Sequence, residues 1–556
     1  MYSITNKKLG ILGGGQLAMM LIDAGRRIGI TDIIVLDPNP KCSAASIGAK
    51  QIVGSYQDED KIMELAKQVD VITIDIENVN AEALIKLEDM CNEGSFENNK
   101  SVDIYPEPRV IRDIQDKWIQ KERIASHYFK DVIFTELILD QKFIPYKYRY
   151  YNFMENKTHH IGKFVLKTKK GGYDGKGVWI LNSVKEMQEI MEKYNMKEDE
   201  VFIEDFIEIE KELAIVAMWC LDIDTFIHYP IVETVQKNGV CTKTICPTPL
   251  TLKQRNTIIQ ITKSLLNVYD TEGVFGFEFF LGKNGKIYLN EVSPRVHNTG
   301  HYTIEGTNCS QFELHLRAIM GLPFPDEIRL TNDTCVMMEN IFAPTEMDSG
   351  TMTKLETGLH LYNKAYNNGD ETAHKAGRKI GHRTYFPTLE NVPYPLVYIV
   401  MGSISDLPYM KPAIDLLNKY SIKCKIDVVS AHRSPKWMFE FGENIRSQCA
   451  KVVIAAAGGA AHLPGMLAAI TTLPVIGVPI PTKNLGGQDS LLSIVEMPNG
   501  VPVATVGIGK SQNAAILALR ILGASDILDK IKKENEEKVK TQRLDLSLST
   551  LKRFLT

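Results

Sequence analysis

The sequence predicts a multidomain α/β protein, with a small parallel α/β domain in front and a three-layer parallel-sheet domain behind. Three observations carry this. The chain has 556 residues, and single hydrophobic cores stop growing beyond roughly 250–300. Apolar strand, small-residue turn and helix follow one another at the start of the chain and again, several times, near its end. The later strands are continuous apolar runs without alternation, which marks parallel strands covered on both faces.

In chain order, Lys8 to Leu12 is an apolar run that enters Gly13-Gly14-Gly15-Gln16. An amphipathic stretch follows to Ile28, and Ile33-Ile34-Val35-Leu36 ends at Asp37. That is strand, glycine turn, helix, strand. Val71 to Ile74, followed by Asp75, Glu77 and Asn78, completes a domain over 1–105. Pro106 and Pro108 punctuate, and a helix with Arg112, Lys117 and Lys121 opens a second domain over 106–330. Residues 331–390 form a small closing domain and linker, polar and rich in Gly, Asn and Pro. The last domain, 391–530, has strands at Val397–Met401, Ile426–Val429, Val452–Ala457, Val475–Val478 and Val501–Val506, and 531–556 reads as a charged tail helix.

Composition excludes several classes. Hydrophobic residues at 44% and charged residues at 24% are those of a soluble globular protein. The 64 basic and 68 acidic side chains leave a net charge of −4, without the basic excess that nucleic acid requires. Nine cysteines with no Cys-x-x-Cys pair indicate a reducing compartment and no zinc site. The N-terminus lacks a signal-peptide core. The most apolar run, Val452 to Ile470, contains Gly458, Gly459, His462, Pro464 and Gly465, so it reads as a buried strand turning into a helix, not a membrane span. A cytoplasmic protein acting on small molecules is expected, with no nucleic-acid and no membrane partner.

Gly13-Gly14-Gly15-Gln16-Leu17-Ala18 after a strand, with Asp37 about twenty residues on, has the spacing of a dinucleotide loop. The rest of the chain offers no nicotinamide-side chemistry. Lys167 ends a strand before Lys170-Gly171-Gly172-Tyr173-Asp174-Gly175-Lys176-Gly177, a cationic, glycine-dense turn suited to closing over polyphosphate. Glu278 and Glu291 flank a hairpin pattern centred on Asn284-Gly285. A two-residue turn there pairs positions symmetrically and sets the two carboxylates face to face. Opposed like charges are destabilising unless a cation lies between them, and oxygen ligands suit Mg2+ carried with ATP phosphates.

Together with Phe202-Ile203-Glu204, Lys211-Glu212-Leu213-Ala214 and Asn290-Glu291-Val292-Ser293-Pro294-Arg295-Val296-His297-Asn298, these motifs resemble the ATP-grasp carboxylase that makes N5-carboxyaminoimidazole ribonucleotide. The resemblance runs from the glycine loop to about residue 383. It implies an ATP-grasp unit built of a small parallel α/β domain, a lid and a core. It further implies that Lys117 and Lys167 contact ATP phosphates, that Glu204 and Glu212 hold adenine and ribose, and that Glu278 and Glu291 hold Mg2+. Gly172, Tyr173, Asp174, Gly175, Lys176, Gly177 and Asn290 join the nucleotide set. Arg295, His297 and Asn298 resemble a bicarbonate and carboxyphosphate site, with Arg295 catalytic. Gln16, Asp174, Lys176, Arg378, Lys379 and His382 would face the aminoimidazole ribonucleotide. Thr299 stands where the family has serine, and Asp75 where it has glutamate.

Three turns of the last domain follow strands: Gly402-Ser403-Ile404-Ser405-Asp406, Ser430-Ala431-His432-Arg433, and Gly458-Gly459-Ala460-Ala461-His462. The first puts hydroxyls and backbone N–H groups at a helix start, a phosphate cradle. All three resemble N5-carboxyaminoimidazole ribonucleotide mutase over about 396–523, a Rossmann-like/flavodoxin-like domain. By that resemblance Gly402, Ser403, Ser405, Asp406, Ser430, Ala431 and Arg433 bind the ribose phosphate portion. Gly458, Gly459 and Ala460 lie against the imidazole, His432 carries the proton, and His462 assists or orients. Moving a carboxylate from N5 to C4 needs one such group, titrating near neutrality. Ala456 and Glu496 depart from the mutase pattern.

Both halves on one chain, ATP-grasp first, resemble the fused phosphoribosylaminoimidazole carboxylases of fungi. The resemblance implies ATP, bicarbonate and Mg2+ as reactants and cofactor, and a homo-oligomer, an octamer through the mutase domain. Two other readings are a direct CO2-dependent carboxylase with an idle ATP-grasp half, and a catalytically silent nucleotide-binding scaffold. The intact Glu278, Glu291 and Lys167 argue against the first, and the complete charged sets of both sites against the second.

Overall fold

The computed structural model describes residues 7–128, 163–171, 177–221, 224–237, 239–343, 358–362 and 379–545. Gly172, Tyr173, Asp174, Gly175, Lys176 and Arg378 lie outside the described residues. The chain forms two compact units: one runs to Phe386, and the other comprises Pro387 onward together with Thr248–Lys253.

The first unit opens with a parallel sheet of β1 (Leu9–Leu12), β2 (Ile33–Asp37), β3 (Lys50–Val53), β4 (Val71–Ile74) and β5 (Asp103–Ile104), in the order β3-β2-β1-β4-β5. β1 and β4 are buried at every position, as central parallel strands require. Strand order reverses between β1 and β4, so a crevice opens beyond their carboxyl ends. The glycine turn after β1 and Asp75–Glu77 after β4 therefore flank that crevice. A second, antiparallel sheet of β6 (Phe164–Thr168), β7 (Val178–Leu181) and β8 (Val201–Asp205) runs β7-β6-β8. The helix Val184–Lys193, capped by the Ser183 side chain on the Glu186 N–H, packs Met187 into its apolar cluster.

The largest sheet comprises β9 (Ile209–Cys220), β10 (Thr225–His228), β11 (Val232–Lys237), β12 (Val240–Cys246), β13 (Val274–Gly282), β14 (Ile287–Ser293), β15 (Val336–Phe342), β16 (Leu359–Leu361) and β17 (Lys379–Tyr385). Its path is β14-β13-β9-β11-β12-β15-β17-β16, with β10 beside β9. Along β13, Phe275, Phe277 and Phe279 are fully buried, and Phe275 stacks on Tyr269 with centroids 5.6 Å apart. Each buried ring contributes about 1.5–3 kcal/mol. Those rings fix the register, because a one-residue slip would turn them out and drive Glu278 into the core.

The second unit is a parallel sheet of β18 (Val397–Met401), β19 (Cys424–Val428), β20 (Val452–Gly458), β21 (Val475–Ile480) and β22 (Ala504–Thr505), ordered β19-β18-β20-β21-β22. This is the flavodoxin-like order, with its switch point between β18 and β20. The central strands are buried along their length, with Gly458 at the end of β20 exposed, as their apolar runs predict. The outer strands differ from expectation. β19 is an edge strand that exposes Ile426 and Val428, and β22 keeps two residues of the expected Val501–Val506. The closing helix is Ser525–Asp545 and starts earlier than expected, because Ile527 and Ile531 pack into the core. Among the described residues no helix is long and apolar enough to cross a membrane.

Candidate active sites

In the first unit the glycine turn is closed on itself. Gly14 N–H donates to Asp37 Oδ2 at 2.8 Å, and Gly15 N–H donates to Asp75 Oδ2. Ala18 N–H reaches Asp75 Oδ1 at 3.2 Å. A Cβ on Gly14 would lie 2.5 Å from Cys42 Sγ, so that position is glycine for want of room. The amides a dinucleotide pyrophosphate would need are thus held by the chain's own carboxylates, which removes the dinucleotide reading. Gln16 opens the following helix, half-buried at the crevice.

The β13–β14 hairpin brings Glu278 opposite Glu291, but by a different route from the symmetric one. The connection is the three residues Lys283-Asn284-Gly285, closed by Gly285 N–H to Gly282 O at 2.8 Å, with Gly285 at φ +77°. Three-residue turns of this kind end in a left-handed glycine. Beside it Leu281 pairs with Ile287 and Phe279 with Leu289, one residue short of symmetric. A bulge then restores the pairing at Glu278. Asn290 is the bulged residue, and its amide works between neighbours: Nδ2 donates to Glu278 Oε2 at 3.2 Å and Oδ1 accepts from Lys167 Nζ at 3.2 Å. Lys117 Nζ sits 3.1 Å from Glu291 Oε2. Burial, and then the charges of Glu291 and Glu212, raise the Glu278 carboxyl well above the ordinary carboxylate range. Burial also raises Glu212, a smaller effect.

Glu204 ends β8 between two ammonium groups, Lys121 Nζ and Lys167 Nζ, each at 2.5 Å. Burial alone would raise its pKa, but the two lysines outweigh it and hold the carboxyl at about 2. Lys121 is a site neighbour that the motifs do not mark. Its one signal is its place four residues after Lys117 on a helix, on the same face. Gly177, the last residue of the lid loop, lies at φ +75° against Thr168.

Arg295 Nη2 contacts both oxygens of Glu77, at 2.7 and 2.9 Å, and Nη1 donates to Val296 O at 3.0 Å. Its Nε is buried without a partner, and so are both polar atoms of the Asn298 side chain. His297 Nε2 is 3.7 Å from Glu278 Oε1. Burial, with Arg295 and Lys379 nearby, lowers its pKa to about 3. His382 departs from its expected place facing substrate. It is completely buried, hydrogen-bonded to Tyr362 Oη at 2.7 Å and stacked on His360 with centroids 4.6 Å apart. Lys379 opens the same strand and acts on His297 and His301 through its charge.

In the second unit the three turns converge. Ser403 accepts from Ser405 N–H at 3.3 Å, Ser405 Oγ donates to Ser403 Oγ at 2.8 Å, and Asp406 accepts from Ser403 N–H at 3.2 Å. Burial raises the Asp406 carboxyl, and these donors together with Arg433 temper the rise. Arg433 ties two turns together: Nη2 donates to Gly402 O at 2.8 Å and Nε to Ser430 Oγ at 3.3 Å. His432 Nε2 and His462 Nδ1 are 2.8 Å apart, with rings nearly perpendicular at 88°. His462 is exposed at the cap of Leu463–Ile470, as His432 is on its own turn. Gly459, at φ +71°, is held by Ser490 Oγ on its N–H at 2.8 Å, while Gly458 and Ala460 are exposed beside it and Ala431 is buried beneath. Ala456 is buried in β20, and Glu496 is exposed after the helix Gln488–Val495.

Three families match the chain: the ribonucleotide synthetase preATP-grasp domain over 6–115, the ATP-grasp domain over 149–312, and AIR carboxylase over 396–543. The phosphoribosylaminoimidazole carboxylase of Schizosaccharomyces pombe is 37% identical over 545 residues, covering 92% of each chain. The N5-carboxyaminoimidazole ribonucleotide mutase of Aquifex aeolicus is 60% identical over 128 residues, 23% of this chain and 77% of that one. The N5-carboxyaminoimidazole synthase of Aspergillus clavatus, solved with ADP and 5-aminoimidazole ribonucleotide, is 30% identical with a TM-score of 0.56, covering 69% of this chain and 95% of that one.

Proposed function

The chain belongs to the phosphoribosylaminoimidazole carboxylase family, and from that premise we propose a division of labour between its two sites. The first unit carboxylates 5-aminoimidazole ribonucleotide at N5 with ATP and bicarbonate, and the second moves the carboxylate to C4. Bicarbonate oxygen attacks the γ-phosphorus of ATP and releases ADP. The resulting carboxyphosphate loses phosphate to give CO2, which the N5 amine captures as a carbamate. Lys117 and Lys167 would meet phosphate oxygens, with Glu204 and Asn290 fixing where Lys167 points. The lid residues Gly172, Tyr173, Asp174, Gly175 and Lys176 would close over the nucleotide, and Glu212 would take its ribose. Arg295, His297 and Asn298 would hold the bicarbonate oxyanion. Glu77 sets one face of the guanidinium, leaving the buried Arg295 Nε and the Asn298 amide for the ligand. Gln16, Arg378 and Lys379 would face the ribonucleotide.

Glu278 and Glu291 fit a divalent cation: two oxygen-only groups opposed on a ladder, with Glu278 raised by burial and then by the charge of Glu291. Mg2+ would neutralise phosphate charge there. Among the described residues no group of three or more His, Cys, Asp or Glu is arranged to hold a metal ion by itself, which suits a metal that takes its other ligands from phosphate and water.

In the second unit the carbamate C–N bond breaks to release CO2 as N5 takes up a proton, the C4 carbon attacks the CO2, and the C4 proton leaves, so one proton is delivered and one removed. His432 carries the C4 proton and His462, in hydrogen-bond contact, orients it. Ser403, Ser405 and Arg433 would hold the phosphate. Exposed Ile404, Phe439, Leu485, Leu492 and Val495 support self-association of this unit as a homo-oligomer; the octamer that the mutase resemblance implies would be counted by native mass spectrometry.

The observation that carries the reading is the opposed Glu278–Glu291 pair beside unpartnered buried groups of Arg295 and Asn298. Its test is stoichiometry. The purified chain should release one ADP per C4-carboxylated product and need bicarbonate; product formed at the same rate without ATP would overturn it.

A further inference from the structure

His297 is held at three points, its main-chain N–H, its carbonyl and its ring, by Gln311 and Thr299. Gln311, completely buried at the first position of the helix Gln311–Ile319, turns its carboxamide onto the main chain of His297. Oε1 accepts from His297 N–H at 2.9 Å and Nε2 donates to His297 O at 2.7 Å. A carboxamide offers one acceptor and one donor side by side without needing to be protonated, so Gln311 does for His297 what a neighbouring strand would do. Its own N–H is anchored on Thr303 Oγ1 at 2.9 Å, and that hydroxyl donates to Gly300 O at 2.6 Å. The ring is held separately, with Thr299 Oγ1 2.8 Å from His297 Nδ1.

Two glycines make room for this grip. A Cβ on Gly300 would lie 2.5 Å from Gln311 Oε1, and one on Gly276 would lie 2.5 Å from His297 Cβ. Neither has a positive φ, so space and not backbone conformation selects glycine. Gly276 lies two residues before Glu278 on β13 and hence on the same face. The cleared space therefore puts His297 beside the carboxylate pair.

We propose that Gln311 and Thr299 are positioning residues that set His297, and with it Asn298, for the oxyanion end of the first site. The proposal rests on the assignment of His297 and Asn298 to bicarbonate. It also accounts for the threonine at 299: the serine of related sequences offers the same hydroxyl, and Thr299 keeps it.

The test uses the full chain and reads ADP release against bicarbonate and against ATP separately. Thr299→Val keeps the shape and removes the hydroxyl. It should lower kcat/KM for bicarbonate about tenfold, since small misplacements of a binding group cost up to about a hundredfold, and leave KM for ATP unchanged. Thr299→Ser should restore the wild-type value. Gln311→Met keeps the length of the side chain but loses both acceptor and donor, and should show the same selective loss, larger in size. Equal rises in both KM values would mark general damage and overturn the proposal. His297→Asn separates the two levels. If it weakens bicarbonate saturation while Thr299→Val does not, positioning alone fails; if it leaves bicarbonate saturation at wild type, the bicarbonate assignment fails and the proposal with it.

Discussion

The first site is assembled from half-buried and buried charges that contact one another, and the second from exposed side chains on three short turns. Glu204 lies between two lysines, Glu278 opposes Glu291, and Arg295 leans on Glu77. In the second unit His432, Arg433 and His462 are all exposed, and the supporting bonds run mostly between neighbouring turn atoms. The chemistry explains the contrast. Phosphoryl transfer needs fixed charges in a dry setting, where they act strongly. Carboxylate migration needs one proton carrier and a cradle for a phosphate that arrives already charged.

The contrast breaks most visibly at the carboxylate pair. Glu278→Gln or Glu291→Gln should reduce aminoimidazole-ribonucleotide-stimulated ADP release by at least about two orders of magnitude. Turnover of supplied N5-carboxylated substrate should stay within about twofold, as for sites that share no partners. Loss of both activities in a folded variant would mean the sites are not separate. His432→Asn is the converse: C4-carboxylated product should fall by roughly two to four orders of magnitude, the usual worth of a general acid/base, while carbamate formation continues. A near-wild-type rate would pass the proton role to His462 or to water.

How far the sequence reveals these sites depends on how local each one is. The turns of the second unit are contiguous motifs at strand ends, and the parallel order brings them together without further information. In the first unit Glu278 and Glu291 do face each other, but in place of the symmetric two-residue hairpin the chain gets there through two irregularities that cancel: a three-residue turn and the bulge at Asn290. Glu77, Lys121 and Gln311 escaped a site role because their partners lie far away in sequence or bond through the main chain. His382 was misplaced because its motif suggested a ligand, whereas Tyr362 and His360 hold it in the core. The edge position of β19 was equally hidden, since its apolar residues read as those of a covered strand.

Burial of histidine gives the first unit an acid liability that sharpens the comparison. His315 Nδ1 accepts from Val274 N–H at 3.0 Å, and Nε2 meets Thr73 Oγ1 at 2.9 Å. Burial lowers its pKa from 6.5 to about 4. The unfolded chain therefore takes up this proton before the folded one does. Stability is fully present above pH 6.5 and is lost as pH falls toward 4, by up to about 3 kcal/mol. Calorimetry of the intact chain should show the first unit's transition falling over that window. His315→Asn should lower it at pH 7 and flatten its pH slope; an unchanged slope would take His315 out of the account.

The smallest effect probes what the exposed second site does bury. Ser490 has no exposure. Its Oγ donates to Ile480 O at 2.7 Å and accepts from Gly459 N–H at 2.8 Å, pinning a glycine at φ +71° where imidazole and migrating carboxylate are proposed to lie. Ser490→Ala removes both bonds and leaves two main-chain groups without a partner, a loss of about 1–3 kcal/mol. Ser493 also reaches Gly459, through its carbonyl at 3.2 Å, but spends a closer bond of 2.8 Å on Asp489 O within its own helix. Ser493→Ala should cost less than about 0.5 kcal/mol, as for substitutions away from buried networks. If Ser490 orders the turn, Ser490→Ala should lower the second unit's melting temperature and raise KM for the N5-carboxylated substrate, with ATP-dependent ADP release unchanged. Equal behaviour of the two alanine variants would show that the turn holds its shape without the buried hydroxyl.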